Sequence, residues 1–361
     1  MDPSAFESLV TEAMLAPSAH NTQPVRWALD GEKISVFVDL SRRLPVGDPE
    51  DRDMQIAAGA AVEGTVLALA KRGHGGKVTL RVDPDMGGLR PIADIVPIGA
   101  PCAHDVTLGG YVEQRTTHRL GFAPAPEAAW HDWAEDHVTL VTAPDDIVWL
   151  ARKIDHANAA IMKDGSFRTE LLDWTRLRKD VVGYDVDGLN RDALAMGRFT
   201  AAIARPVLGT RLYDVLSAIG FGPALSGEAG RSRDAGAVAL FHWRMDASFV
   251  DAGRAFYRSW LEASRRDLVG WPAAALADDL PTRDAVARRF AIPDDRVIFN
   301  AIRFGNAKGT TPPRTRLPVS ELIVLPQRKG TDLTSSYRLD QREAARVRSS
   351  PVQYGRIIAL P

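Results

Sequence analysis

The sequence contains one cysteine, Cys102, in 361 residues. An intramolecular disulfide is therefore impossible, and a thiolate metal cluster is excluded. Neither sign of charge dominates, with 45 basic and 46 acidic residues. That balance gives no electrostatic footprint for nucleic acid. No stretch approaches the roughly 18 consecutive apolar residues that a membrane span requires. The opening segment, MDPSAFESLVTEAMLAPSAH, has no basic run ahead of an apolar core, as a secretory leader would. The expectation is a cytoplasmic protein without nucleic-acid or membrane partners. The eight histidines are scattered, and none forms a paired ligand spacing with another or with Cys102, so no metal site is expected. No Walker A or Gly-x-Ser-x-Gly sequence occurs. Gly220-Phe221-Gly222 lacks the third glycine of a dinucleotide loop.

What is present is ordinary globular composition, 45% hydrophobic and 25% charged, at a length that suggests two domain-sized units. Asp2 and Pro3 start a helix whose apolar face is Phe6, Leu9, Val10 and Ala13. It must stop near Ala16-Pro17, because the residue before proline avoids the α region. Arg26–Leu29 and Ile34–Val38 read as strands joined by a turn at Gly31-Glu32-Lys33. A long helix follows, about Asp51 to Lys71, closed by Gly73, and then strands at Val78–Val82 and Ile92–Ile98. The second half repeats part of this order: a helix near Asp145–Lys163, a strand at Ala237–Trp243, a helix at Phe249–Arg266 and a strand at Val297–Phe304. Its long helix contains Gly253-Arg254-Ala255-Phe256, against Gly59-Ala60-Ala61-Val62 in the first half. Duplication would produce this pattern, and so would plain helix–strand alternation. The second half also carries a long insert, about residues 165–236, which must hold helices of its own because structureless loops of that length are uncommon in compact domains.

Three separated segments carry candidate chemistry: Ala16–Pro24 (APSAHNTQP), Arg115–Arg119 (RTTHR) and Pro313–Pro318 (PRTRLP). Alone, each has an ordinary structural explanation, as a polar loop, a solvated basic helix start and a charged edge strand. Together they suit an anion joined to a heterocycle. On a helix, Arg115 and Arg119 would share a face, with Thr117 nearby. On a strand, Arg314 and Arg316 would point the same way. Four guanidiniums from two segments can clamp a phosphate through charge-assisted bonds, each contributing about 1.5–3 kcal/mol before desolvation. The first loop offers short uncharged polar groups, which suit ring carbonyls and nitrogens.

The loop resembles the nitroreductase-family signature Pro-Ser-x-x-Asn-x-Gln-Pro, here Pro17, Ser18, Asn21 and Gln23. Arg115-x-Thr117-x-Arg119 resembles the family's Arg-x-Ser-x-Arg/Lys motif, and Pro313–Pro318 resembles its basic segment after the last core strand. The resemblance covers most of residues 1–324 and leaves out the insert and residues 325–361. Val25 departs from the tryptophan usual after Gln-Pro, and Asp267 stands where a glycine is common. The family implies an α+β fold, an antiparallel-rich sheet flanked by helices, and FMN at a two-subunit interface. Here the loop occurs only in half one and both basic segments only in half two. The resemblance is thus to the fused, Acg-like branch: a pseudo-dimer with one flavin site, built from half one (1–110) and half two (111–324). The insert is the lid candidate, and 325–361 a C-terminal extension.

By this resemblance Pro17, Ser18, Asn21 and Gln23 lie along the isoalloxazine, and Arg115, Thr117, Arg119, Arg314 and Arg316 hold the phosphate. Main-chain groups at Val269 and Gly270, at the end of a helix, face the flavin N5 edge. No side chain is needed as catalyst, since N5 carries the hydride. The implied activity is FMN-dependent hydride transfer from NADH or NADPH to a nitro, quinone or related small molecule. The alternatives are an FMN-sequestering protein with little turnover and a specialised flavin oxidase or dehydrogenase. The protein is expected as a monomer or homodimer.

Overall fold

Helix α1 (Pro3–Ala13) begins where its capping residues set it. Asp2 Oδ1 accepts the Ala5 N–H at 2.9 Å, and Phe6, Leu9, Val10 and Ala13 are buried. Strands β1 (Val25–Asp30) and β2 (Lys33–Asp39) form a hairpin with Asp30 opposite Lys33. The turn is therefore Gly31-Glu32 alone, and Lys33 belongs to the strand. Gly31 at φ +64 supplies the left-handed conformation that matches a two-residue turn to strand twist. Helix α2 (Arg52–Lys71) and strands β3 (Gly75–Leu80) and β4 (Leu89–Ile98) complete an antiparallel sheet of order β1-β2-β4-β3. The computed structural model describes residues 1–125, 129–130, 132–133, 135–210, 212–218 and 229–325. Of the extension expected at 325–361, only Leu325 falls within these.

The remaining elements are α3 (Ala103–Gly109), β5 (Phe122–Ala123), β6 (Val138–Val141), α4 (Pro144–Ile161), α5 (Gly165–Asp173), β7 (Thr175–Arg176), β8 (Leu189–Asn190), α6 (Arg198–Leu208), α7 (Leu212–Ala218), α8 (Ala229–Ser232), β9 (Ala237–Arg244), α9 (Phe249–Arg265), β10 (Val269–Pro272), α10 (Ala275–Asp278), α11 (Leu280–Arg289), β11 (Arg296–Ala307) and α12 (Val319–Leu322). The second sheet has order β10-β11-β9-β6, with β5 added to β11. The insert holds helices, as its length demanded. Phe221, one of its aromatics, lies outside the described residues.

The two halves share a pattern. Units β2–α2–β3–β4 and β9–α9–β10–β11 have the same chain order, the same neighbours and the same antiparallel pairing. They differ at the outer strand, because β1 directly precedes β2 whereas α4 and the insert separate β6 from β9. The central helices α2 and α9 cross at their glycines. A Cβ on Gly59 would lie 1.9 Å from Val250 O, and one on Gly253 would lie 2.1 Å from Ile56 O. Each glycine thus meets the carbonyl three residues before the other. This is one contact made twice, the hallmark of a two-fold relation. Helix α2 is buried on almost every side from Met54 to Ala70, because both halves pack against it.

After β11 the chain crosses back to half one. Leu317 and Leu322 join the core of α1, β1 and α2, and Val324 N–H donates to Trp27 O at 2.8 Å. Sequence order alone had placed this stretch with half two. Its apolar side chains and the open edge of β1 decide otherwise.

Candidate functional site

The loop after α1 is held in a tight, non-repeating path. His20, Asn21 and Gln23 all have positive φ, at 47, 55 and 49. Such conformations cost non-glycine residues about 1–3 kcal/mol each and persist only where the surroundings fix them. Here Ser18 Oγ accepts the Gln23 N–H at 3.0 Å, and Gln23 Oε1 accepts the Leu317 N–H at 2.8 Å. Asn21 Nδ2 donates to Thr315 Oγ1 at 3.1 Å and to Gly188 O at 3.1 Å, while its Oδ1 accepts from Arg316 Nη1 at 3.0 Å. The first and third segments are therefore stitched together by side chains of both.

Arg115, Arg314 and Arg316 converge behind this loop. Arg316 donates to Met14 O and Leu15 O, and Arg115 Nη2 donates to Leu15 O at 3.1 Å. Arg314 Nη2 donates to Arg115 O at 2.8 Å and also to Glu113 O. The Arg115 guanidinium stacks over Trp260 at 4.5 Å from its ring centroid and lies 5.9 Å from that of Tyr257. No carboxylate forms an ion pair with any of the three among the described residues. Exposed Glu113 exerts only an attractive field on Arg314. Among the described residues no well-formed hydrogen bond reaches buried Arg115 Nε and Nη1, Arg314 Nε or Tyr257 Oη, although the Tyr257 oxygen faces the Arg115 guanidinium. Burial, reinforced by the neighbouring guanidiniums, lowers Arg316 to about 9 and Arg115 to about 10. Burial lowers Arg314 as well. Three crowded cations, with open donors on Arg115 and Arg314, are an arrangement suited to a compact anion.

The other predicted positions fall as follows. Arg115–Arg119 is not helical. Thr117 pairs in parallel with Gly270, and His118 N–H donates to Gly270 O at 2.9 Å, so the segment runs extended beside β10. The basic i, i+4 spacing had suggested a helix; the backbone partner offered by β10 overrides it. Arg119 then leaves the cluster and donates to Ala193 O at 3.0 Å. Its charge, after burial, helps lower His20 to about 4. Arg314 and Arg316 lie in irregular chain rather than a paired strand, yet both side chains reach the cluster. Val269 and Gly270 lie on an edge strand opposite Gly305 and Phe304, not at a helix end. The helix stops at Arg265, and Asp267 takes a left-handed φ of 58. Pro17 and Ser18 border a small, largely apolar cleft also lined by Trp27, Ala57 and Ala61; the arginines are not part of that lining.

The insert is fastened to the loop. Val186 O accepts from Gln23 Nε2 at 2.9 Å. Asp187 pairs with Arg42 at 3.3 Å and with Arg176 at 2.9 Å, and Arg42 also donates to Thr22 O. Glu170 accepts the Gly47 N–H at 2.7 Å. Tyr257, Trp260 and Thr315 escaped sequence reading. The first two look like core residues of an amphipathic helix. Their one mark is the i, i+3 spacing that places both on the same face.

No family model matches this chain. It is 32% identical over 126 residues to a Mycobacterium tuberculosis protein named "Putative NAD(P)H nitroreductase Rv3131", covering 35% of this chain and 36% of that one. It is 31% identical over 185 residues to "Putative NAD(P)H nitroreductase acg" from the same organism, covering 47% and 54%. The chain thus spans about a third to a half of the length of these relatives. Among solved structures, it is similar to a "putative nitroreductase" from Anabaena variabilis, with TM-score 0.39 and 11% identity over 76% of this chain and 69% of that one. It is also similar to the FMN-dependent nitroreductase NfnB from Mycobacterium smegmatis in complex with NADPH, with TM-score 0.33 and 19% identity over 60% and 96%. These superpositions are too loose to bear on the reading. Over the matched stretches of the two mycobacterial relatives the chain is thus similar in sequence to proteins named as putative NAD(P)H nitroreductases, and its three motif segments lie near one another.

Proposed function

We propose that this chain is an FMN-dependent oxidoreductase that passes hydride from NADH or NADPH to a nitro, quinone or related small molecule. We read it as a fused pseudo-dimer with one flavin site between its halves. The observation that carries the proposal is the cluster of buried Arg115 with half-buried Arg314 and Arg316, in which Arg115 and Arg314 keep open N–H donors and no carboxylate is ion-paired among the described residues. The donor set fits a phosphate monoester: planar forks with unused N–H groups, walled by main-chain carbonyls that fix their aim. The flavin, when bound, supplies hydride acceptance and donation at its N5. The protein's part is to hold and orient it. The arginines anchor the charged end, and the Pro17–Gln23 loop flanks the ring, its Asn21 and Gln23 side chains fixing the loop through Thr315, Arg316, Leu317 and Val186. Arg119 sets a positive charge beside that loop, and neutral His20 adds none at physiological pH.

The test is anaerobic mixing of the flavin-loaded protein with NADH and NADPH, following the visible flavin band. Rapid bleaching, reversed by a quinone or nitro compound, supports the proposal. A chain that binds no flavin, or an Arg115→Ala/Arg316→Ala double variant that binds FMN as well as wild type, defeats it. The ties from Val186, Asp187 and Gly188 to Gln23, Arg42 and Asn21 favour a second reading, in which the insert seals the site and the protein sequesters FMN. In that case dithionite reduces the bound flavin and neither nucleotide does.

A further inference from the structure

Tyr257 is fully buried on α9, one helical turn from the Trp260 that stacks on Arg115. Its oxygen faces the Arg115 guanidinium, which can only donate to it, and among the described residues no well-formed hydrogen bond takes up its O–H, within the fields of Arg115, Arg314 and Arg316. A buried unpartnered hydroxyl costs about 1–3 kcal/mol, and such groups persist where something later satisfies them. Neighbouring Arg115 has the same incompleteness at Nε and Nη1. The unmet atoms therefore come from two kinds of donor beside one another: cationic forks and a neutral O–H.

We infer that Tyr257 is a ligand of the flavin phosphate, its O–H donated to a phosphate oxygen alongside Arg115 and Arg314. This rests on the FMN reading above and assigns the phenol a role within it. Arginines alone draw any anion. A directed neutral donor among them adds geometry without adding repulsion to an already crowded set of cations. The phenol would then sharpen preference for a flavin that ends in a phosphate over one that ends in a hydroxyl. Helix α9 also crosses α2 closely at Gly253, so Tyr257 is carried on a helix held against both halves.

Tyr257→Phe isolates the hydroxyl, because the ring keeps its packing. Flavin-free full-length wild type and variant would be titrated with FMN and with riboflavin, which lacks the phosphate. The expected result is FMN binding weakened about tenfold to a hundredfold, as for one hydrogen bond to a charged group. Riboflavin binding stays unchanged, and so does the melting temperature of the flavin-free protein. Unchanged FMN affinity, an equal loss for both flavins, or a clear fall in the flavin-free melting temperature would each overturn the assignment. A wild type that binds riboflavin as tightly as FMN would instead sink the phosphate site itself, and this assignment with it.

Discussion

Replacing Arg115 by methionine should separate binding from folding. Among the described residues Arg115 donates one well-formed hydrogen bond, to Leu15 O at 3.1 Å, and lies over the rings of Trp260 at 4.5 Å and Tyr257 at 5.9 Å. Losing these costs about 1.5–3 kcal/mol for the charged hydrogen bond and about 0.5–2 kcal/mol for the cation–π contact. Against that, Nε and Nη1 no longer sit buried without partners, a relief of about 1–3 kcal/mol for each. The removal of a cation beside Arg314 and Arg316 acts in the same direction. The two sides nearly cancel, so the flavin-free melting temperature should move by only a few degrees. With FMN the balance is one-sided. Two charge-assisted bonds lost amount to about 3–6 kcal/mol, or FMN binding weaker by about two to four powers of ten. Thermal melts with and without saturating FMN, together with a fluorescence titration, read both quantities. A variant that unfolds without flavin but otherwise binds normally would make Arg115 a structural tie. Undiminished FMN affinity would remove the anion site.

The same cluster dictates pH behaviour. Burial and the neighbouring guanidiniums lower Arg316 to about 9 and Arg115 to about 10, so the positive charge of the cluster weakens as the pH is raised into that range. An anion holds them protonated, so FMN affinity should be level between about pH 7 and 8, where the phosphate is a dianion, and fall above 9. His20, lowered to about 4 by burial and then by Arg119, contributes stability that is present above its ordinary 6.5 and lost as the pH falls toward 4. Acid should therefore loosen the loop, which stopped-flow release of flavin fluorescence would register; release independent of pH over that range speaks against it. Gly253→Ala places a methyl 2.1 Å from Ile56 O and should destabilise by about 3 kcal/mol or more, since the helices must part. Chemical denaturation at wild-type stability would contradict the close crossing. Asp187→Asn weakens the pairing with Arg42 and Arg176. If the insert restricts access, nicotinamide oxidation should quicken in this variant at unchanged FMN content; a rate equal to wild type removes the insert as a barrier.

Much of the fold was legible because its signals are local. Asp2-Pro3, Gly31 and Gly73 punctuate elements whose apolar periods are strong, and the long helices and central strands fall within a few residues of expectation. Strand β6 was missed: four residues with only Val141 fully buried carry little alternation. Edge strand β10 was read as the end of a helix, because the left-handed turn at Asp267 leaves no glycine to mark it. Arg115–Arg119 was misread as helical for a related reason, since its partner is β10. The arginine trio could be anticipated from residue type and spacing. Its aromatic wall could not, because Tyr257 and Trp260 have the burial pattern of any core helix.

The Asn21–Arg316 hydrogen bond joins residues 295 positions apart. A chain made from its N-terminus builds the loop first and the strap that fixes it last. Until residue 317 has emerged, Gln23 Oε1 has no Leu317 N–H to accept and Asn21 no Thr315 to hold. The three left-handed residues of the loop then keep only their ties to earlier chain, among them those to Ser18, Val186 and Gly188. The binding site is therefore a late product of synthesis, able to mature only after both sheets can already have folded around it. A chain arrested just after β11 should be folded but unable to retain a ligand, so cofactor capture would report that the molecule has been finished.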